Sequence, residues 1–223
     1  MSEPDAAFDA LVEEFYPAWF RYHPEIALKA GITGYERLLP AQEDDEFGAL
    51  GNLLESLVVA LEELDYASLD AARKLDFELM FGAALVEHHE LLERDWRHRD
   101  PLRFLPIEEI FRLTLSPGED FRAALVSLLS AAPAYLRRAQ HQLLTLAELV
   151  APELVTTALD EVKLGIDYLR HLATSAWIRH HCYGCAEISA LCDEAAAALH
   201  DYGVVLRDDI APRARGRLGC GSE

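Results

Sequence analysis

An all-α fold of about seven or eight helices, arranged around one long central helix, is predicted for this chain of 223 residues. Three observations lead there. Alanine and leucine dominate while β-branched residues are few, a helix-forming balance. Apolar residues recur at three- and four-residue spacing in one segment after another. Pro and Gly fall between those segments, where helices would stop and restart. With 51% hydrophobic residues the chain can bury a sizeable core. Residues 1–210 are expected to form one helical domain around it.

Asp5 to about Tyr22 predicts a first amphipathic helix, with Phe8, Leu11, Val12, Phe15 and Trp19 on its apolar side and a kink at Tyr16-Pro17. His23-Pro24 breaks the pattern, and Pro24-Glu25 suits the first turn of a short helix through Lys29. Gly31 and Gly34 permit tight turns in the loop that carries Tyr35. Glu43 to Leu64 reads as a second long helix whose acidic first turn suits the helix dipole. Ser68 is a plausible N-cap for the central helix, Leu69–Asp95. That helix is apolar almost all round in its middle, the pattern of a buried helix. Pro106 to Leu115 follows, then a turn at Ser116-Pro117-Gly118 and a helix to about Val150, kinked by Pro133. Ala151-Pro152-Glu153 restarts the chain into Glu153–Ser175, HHCYGC (180–185) is a break, and Ala186–Asp209 is the last helix. Residues 211–223, short, basic and Gly-rich, are expected to form a flexible tail.

Net charge is −19. That disfavours nucleic acid and anionic membrane as partners, because phosphate binding needs a basic face. It favours cationic or amine-bearing ligands, or a basic partner chain. No apolar run approaches the roughly 18–20 residues that span a bilayer. The acidic N-terminus lacks a signal-peptide pattern, which points to the cytoplasm and to reduced thiols for the four cysteines.

The central helix carries the most suggestive groups. Asp76 and Glu87 are eleven residues apart, so they project within about 20° of each other along a stripe that includes Met80. They would stand about 16 Å apart, too far to share a proton but suited to two ends of an elongated pocket. His88, beside Glu87, is a candidate general base. The turn Glu87–Glu90 reads equally as the solvated end of a long helix. Arg94, Arg97, Arg99 and Arg103 with Trp96 form a basic patch that could hold an anionic group or simply settle helix-end charge. Asp160, Lys163, Asp167, Arg170 and His171 share a helix face, read as a solvent face with i,i+4 pairs or as a polar wall of a cleft. His181, Cys182, Cys185 and Cys192 use the vocabulary of a zinc site, yet no second ligand pair follows at a matching distance, so the plainer reading is buried thiols around a turn. There is no HExxH, GxSxG, P-loop or dinucleotide-binding GxGxxG, and no metal or cofactor is expected.

Four pieces stand in a suggestive order: FDALVEEFYPAWFRYHPEIALKAGITGYERLLP, KLDFELM, ERDWRHRDPLRFL and ALHDYGVVLRDDIAPRARGRLGCG. Together they resemble the N-terminal helical region of the bacterial domain of unknown function 885 family, relatives of gluzincin metallopeptidases. In such proteins the zinc motif lies in a C-terminal half that has no counterpart here, so the resemblance carries no metal ligand onto this chain. It does imply that Tyr35 and Asp76 would face a substrate cleft.

The function expected from these readings is a helical subunit of a two-chain enzyme. It would do metal-independent acid/base or positioning chemistry on an amine-bearing small molecule, such as an amine displacement or ring closure in a specialised biosynthesis. Asp76, Glu87 and His88 would do the chemistry, while Tyr35, Met80, Arg97, Arg103 and Asp167 would bind substrate. A separate partner subunit would cover an exposed apolar face. The alternatives are an inactive fragment of a metallopeptidase-like hydrolase and a non-enzymatic interaction module.

Overall fold

A computed structural model describes residues 3–115, 117–118, 120–176, 178 and 185–218. It is all-α: among the described residues there are eight α-helices and no strand. The helices are α1 Glu3–Trp19, α2 Pro24–Lys29, α3 Asp44–Glu62, α4 Ala71–His89, α5 Ile107–Leu115, α6 Phe121–Thr145, α7 Pro152–Thr174 and α8 Cys185–Val205. The chain divides into two compact units, Met1–Ile26 with Pro40–Trp96, and Ala27–Leu39 with Arg97–Glu223. No helix among the described residues is long and apolar enough to cross a membrane.

The first unit is built from α1, α3 and α4. Leu50, Leu54, Leu57 and Leu61 recur along α3 at helical spacing and are buried against Phe8 and Phe15 of α1 and Met80 and Ala84 of α4. Each such side chain contributes about 1.5–3 kcal/mol by leaving water. The Glu46 carboxylate caps the start of α3 by accepting from the backbone N–H groups of Gln42 and Glu43. The cap of α4 is Asp70, not Ser68. Asp70 accepts from the Arg73 N–H at 2.9 Å, while Ser68 lies in a 3-10 turn and its hydroxyl turns to Asp65. Leu69 is extended and buried between the two, which delays the helix start. Arg73 then spans Asp70 and Asp9, tying the start of α4 to α1.

The helix expected to be buried on all sides is not. Of α4 only Met80 and Ala84 are fully buried, and the α-helical turns give way to a π turn, Glu90–Arg94, before Asp95. Leu75, Leu79 and Val86 are 58%, 64% and 61% exposed. With Ala72 and Ala83, also exposed, they form one stripe spanning about 80° of the helix. The all-round apolar pattern is real, but α1 and α3 cover only one side of α4.

In the second unit α6 buries one long face. Ten of its residues are buried, from Phe121 to Leu143, with Pro133 inside the helix. In this second unit α7 lies close to α5 at Gly165, and α8 lies close to α7 at Gly203. A Cβ on Gly165 would stand 2.8 Å from Ile107 Cγ1, and one on Gly203 would stand 3.0 Å from Val162 Cγ1. The segment after α2 turns through Gly31 and Gly34, at φ +72° and +102°, as their spacing predicts. Arg37 anchors that segment by an ion pair to Asp120 at 3.0 Å and by accepting, at its carbonyl, from the Ser127 hydroxyl.

The expected flexible tail packs in its first half. The Arg215 and Gly216 N–H groups donate to the Glu148 and Val150 carbonyls, and Ala214 is buried. Gly216 lies so close to Leu149 that an added Cβ would stand 2.0 Å from its carbonyl oxygen. Backbone hydrogen bonds hold this stretch, and hydropathy does not register them.

Candidate functional site

The groups that converge in the first unit come from the end of α1, the start of α2 and the end of α4. Trp19 ends α1, and its carbonyl still accepts from the His23 N–H at 3.2 Å, so His23 sits one turn on. Pro24 at once opens α2, fixing the backbone after His23. The imidazole therefore lies over the Trp19 indole, centroids 4.4 Å apart. Glu87 reaches the pair from the last turn of α4. Its Oε2 accepts from the indole N–H at 2.9 Å, and its Oε1 lies 2.6 Å from His23 Nε2. Glu25 Oε1 stands 3.5 Å from His23 Nδ1 on the other side. The second oxygen of Glu25, Oε2, is buried with no hydrogen-bond partner.

Burial pulls the His23 imidazole toward neutrality, but hydrogen bonds to Glu25 and Glu87, and the charges of both, push it up to about 9. At neutral pH the ring is therefore a cation, hydrogen-bonded to Glu87 and ion-paired with Glu25. Both oxygens of Glu87 are engaged, so it holds the indole and the imidazolium in place. Tyr16 and Phe20 extend the aromatic wall, with ring centroids 5.8 Å apart. Burial, and then the Asp76 charge, raise the Tyr16 phenol above its ordinary value.

The predicted site residues are divided between the units. Asp76, Met80, Glu87 and His88 belong to the first, Tyr35, Arg97, Arg103 and Asp167 to the second. Glu87 alone of the first four enters the His23 cluster by direct contact. Asp76, expected on a helix apolar on every side, is exposed at the edge of the stripe. Met80 is buried in the core. His88 is half-buried and makes no hydrogen bond or ion pair among the described residues. In the second unit Tyr35 is half-buried, Arg97 is buried, and Arg103 is exposed beside Asp100 at 3.9 Å. His181 and Cys182, and the side chain of Cys185, lie outside the described residues. Cys192 is a buried free thiol, and burial followed by the Asp193 charge pushes it up to about 11. No cluster of metal-ligating groups occurs among the described residues.

Sequence reasoning placed Trp19 in an apolar stripe and treated His23 as a helix break. The available signal was a Trp four residues before a His at a helix end, next to Pro. Their partner Glu87 lies more than sixty positions away, and local spacing cannot connect the two.

Asp167 lies in a groove of about 380 Å³ between α7 and α8 of the second unit. Lys163, Asp167 and Arg170 of α7 form one edge, His200 and Arg207 the other, over a floor that includes Val162, Ile166 and Val204. The expected i,i+4 pairs are not formed there: Lys163, Asp167 and Arg170 make no ion pair among the described residues. Arg207 is held by Asp208, through Nε at 2.8 Å and Nη2 at 3.1 Å.

No family model matches the chain, and no curated protein matches it. Among solved structures it is similar to one described as "a putative lipoprotein of unknown function from Shewanella oneidensis", with a TM-score of 0.76 at 14% identity. The match covers 95% of this chain and 38% of that one. At that identity the likeness is one of fold, and the chain spans well under half the length of that protein.

Proposed function

We propose that this chain is the helical subunit of a two-chain enzyme that holds an amine-bearing small molecule for metal-independent acid/base or positioning chemistry. The carrying observation is the His23 cluster: an imidazolium between two carboxylates, one of which keeps a buried oxygen without a donor. A buried carboxylate oxygen left unpaired is costly, and an ammonium or amine N–H is the donor that relieves the cost while matching its charge. Glu25 Oε2 accepts from the substrate nitrogen. His23, with its proton held up to about 9, supplies a proton donor matched to amine chemistry. Glu87 and Trp19 are positioning residues. The site is thus recentred from Asp76 and His88 onto His23 and Glu25, with Glu87 retained. The acidic field of the chain concentrates cationic substrates around it.

The second chain covers the α4 stripe. Leu75, Leu79 and Val86 in one line are more apolar surface than an isolated helix face needs. The net charge of −19 selects a partner with a basic rim around its own apolar helix face. The similar fold occurring as 38% of a longer protein supports a helical portion that works beside further polypeptide. The resemblance to the domain of unknown function 885 family and the cytoplasmic setting belong to this same reading.

Two measurements test it. Purified alone, the chain is expected to bind a hydrophobic dye and self-associate in light scattering, and Leu79→Glu with Val86→Glu to suppress both. A monodisperse chain that binds no dye would end the two-chain reading. For the site, the His23 ring resonances are expected to move when butylamine is titrated into the protein, and not in Glu25→Gln. No movement at millimolar amine would remove the amine-binding reading.

A further inference from the structure

We propose that the α7–α8 groove of the second unit is a binding site for a small amphipathic anion, with an apolar body on its floor and a single carboxylate or phosphate at its rim. Its volume, about 380 Å³, lies in the range of small-ligand sites. The floor, including Val162, Ile166 and Val204, is apolar and offers an alkyl or aryl body a surface away from water.

The rim supplies the charge preference. This chain has 39 acidic residues against 20 lysines and arginines, so a carboxylate is the commoner neighbour almost anywhere on it. Yet Lys163, Arg170 and Arg207 meet around this groove with one carboxylate, Asp167, among its lining residues. Lys163 and Arg170 are exposed and make no ion pair among the described residues. Arg207 is oriented by Asp208 through one side of its guanidinium, which fixes its position while leaving N–H donors unused. Gly203 lets α8 lie against Val162, so the rim groups of the two helices face one ligand. Two unpaired cations and a third held in place, above an apolar floor, match an anionic head on an apolar body. This site is independent of the His23 cluster and selects the opposite charge.

The test is calorimetric titration of the full chain with octanoate, octyl phosphate, octylamine and 1-octanol. Octanoate or octyl phosphate is expected to bind, the better of the two identifying the head group. Lys163→Ala and Arg170→Ala, both at exposed positions that leave the core intact, are each expected to weaken binding about tenfold. Val204→Trp, which fills the floor, is expected to abolish it. Equal binding of octylamine and octanoate would overturn the proposal. So would octanoate affinity unchanged in the Lys163→Ala, Arg170→Ala double variant, or no binding of either anion.

Discussion

His23 Nε2 lies 2.6 Å from Glu87 Oε1, an imidazolium on a carboxylate that joins the α1–α2 junction to the end of α4. The contact both orients the candidate site and makes the first unit's stability depend on pH. The imidazole is held up to about 9 when folded, against its ordinary 6.5. Its contribution is therefore fully present below about pH 6.5 and is lost as pH rises through 9.

Urea unfolding at pH 6 and pH 9.5 should reveal that loss. The His23 contribution is expected to be about 2 kcal/mol, less than the full shift implies because the two side chains keep 21% and 25% of their surface in water. His23→Gln should lose that amount at pH 6 and lie close to the parent at pH 9.5. A variant whose deficit is the same at both pH values would show that packing on Trp19, and not charge, holds the residue.

Glu87→Gln keeps the shape of the side chain and removes its charge. The His23 ring should then titrate well below 9 by NMR, since one of its two carboxylate partners is gone. Trp19 fluorescence should also change, because the indole N–H loses a charged acceptor. A His23 titration left near 9 would assign the shift to Glu25 alone.

In the second unit the fully buried Tyr202 donates its hydroxyl to the Pro101 carbonyl at 2.7 Å. Tyr202→Phe leaves that carbonyl without its donor and is expected to cost about 1–2 kcal/mol. Denaturant midpoints should fall with an unchanged slope.

Gly216→Ala tests the docking of the chain after the last helix. The new methyl would meet the Leu149 carbonyl, so the backbone must move away. Hydrogen exchange at the Arg215 and Gly216 amides, slow in the parent because both donate to carbonyls, should become fast. The α6–α8 amides should keep their protection, since their core lies elsewhere.

Composition and apolar spacing by themselves determined the all-α class and most helix positions. Helix propensity, three- and four-residue spacing and Pro or Gly breaks are local, and α2, α3 and α7 begin within a residue or two of where those signals put them. They also singled out Glu87, by its crowding into a turn of charged groups, and the Lys163–Arg170 face of α7. Tertiary structure alone decided the rest. The burial of a helix depends on how many neighbours surround it, so the all-round apolar pattern of α4 could not show that one side stays open. Asp76 lost its distinction for the same reason. The His23–Glu87 contact and the docking of Gly216 both join residues far apart in the chain. Such contacts arise when helices pack, and no local periodicity encodes them.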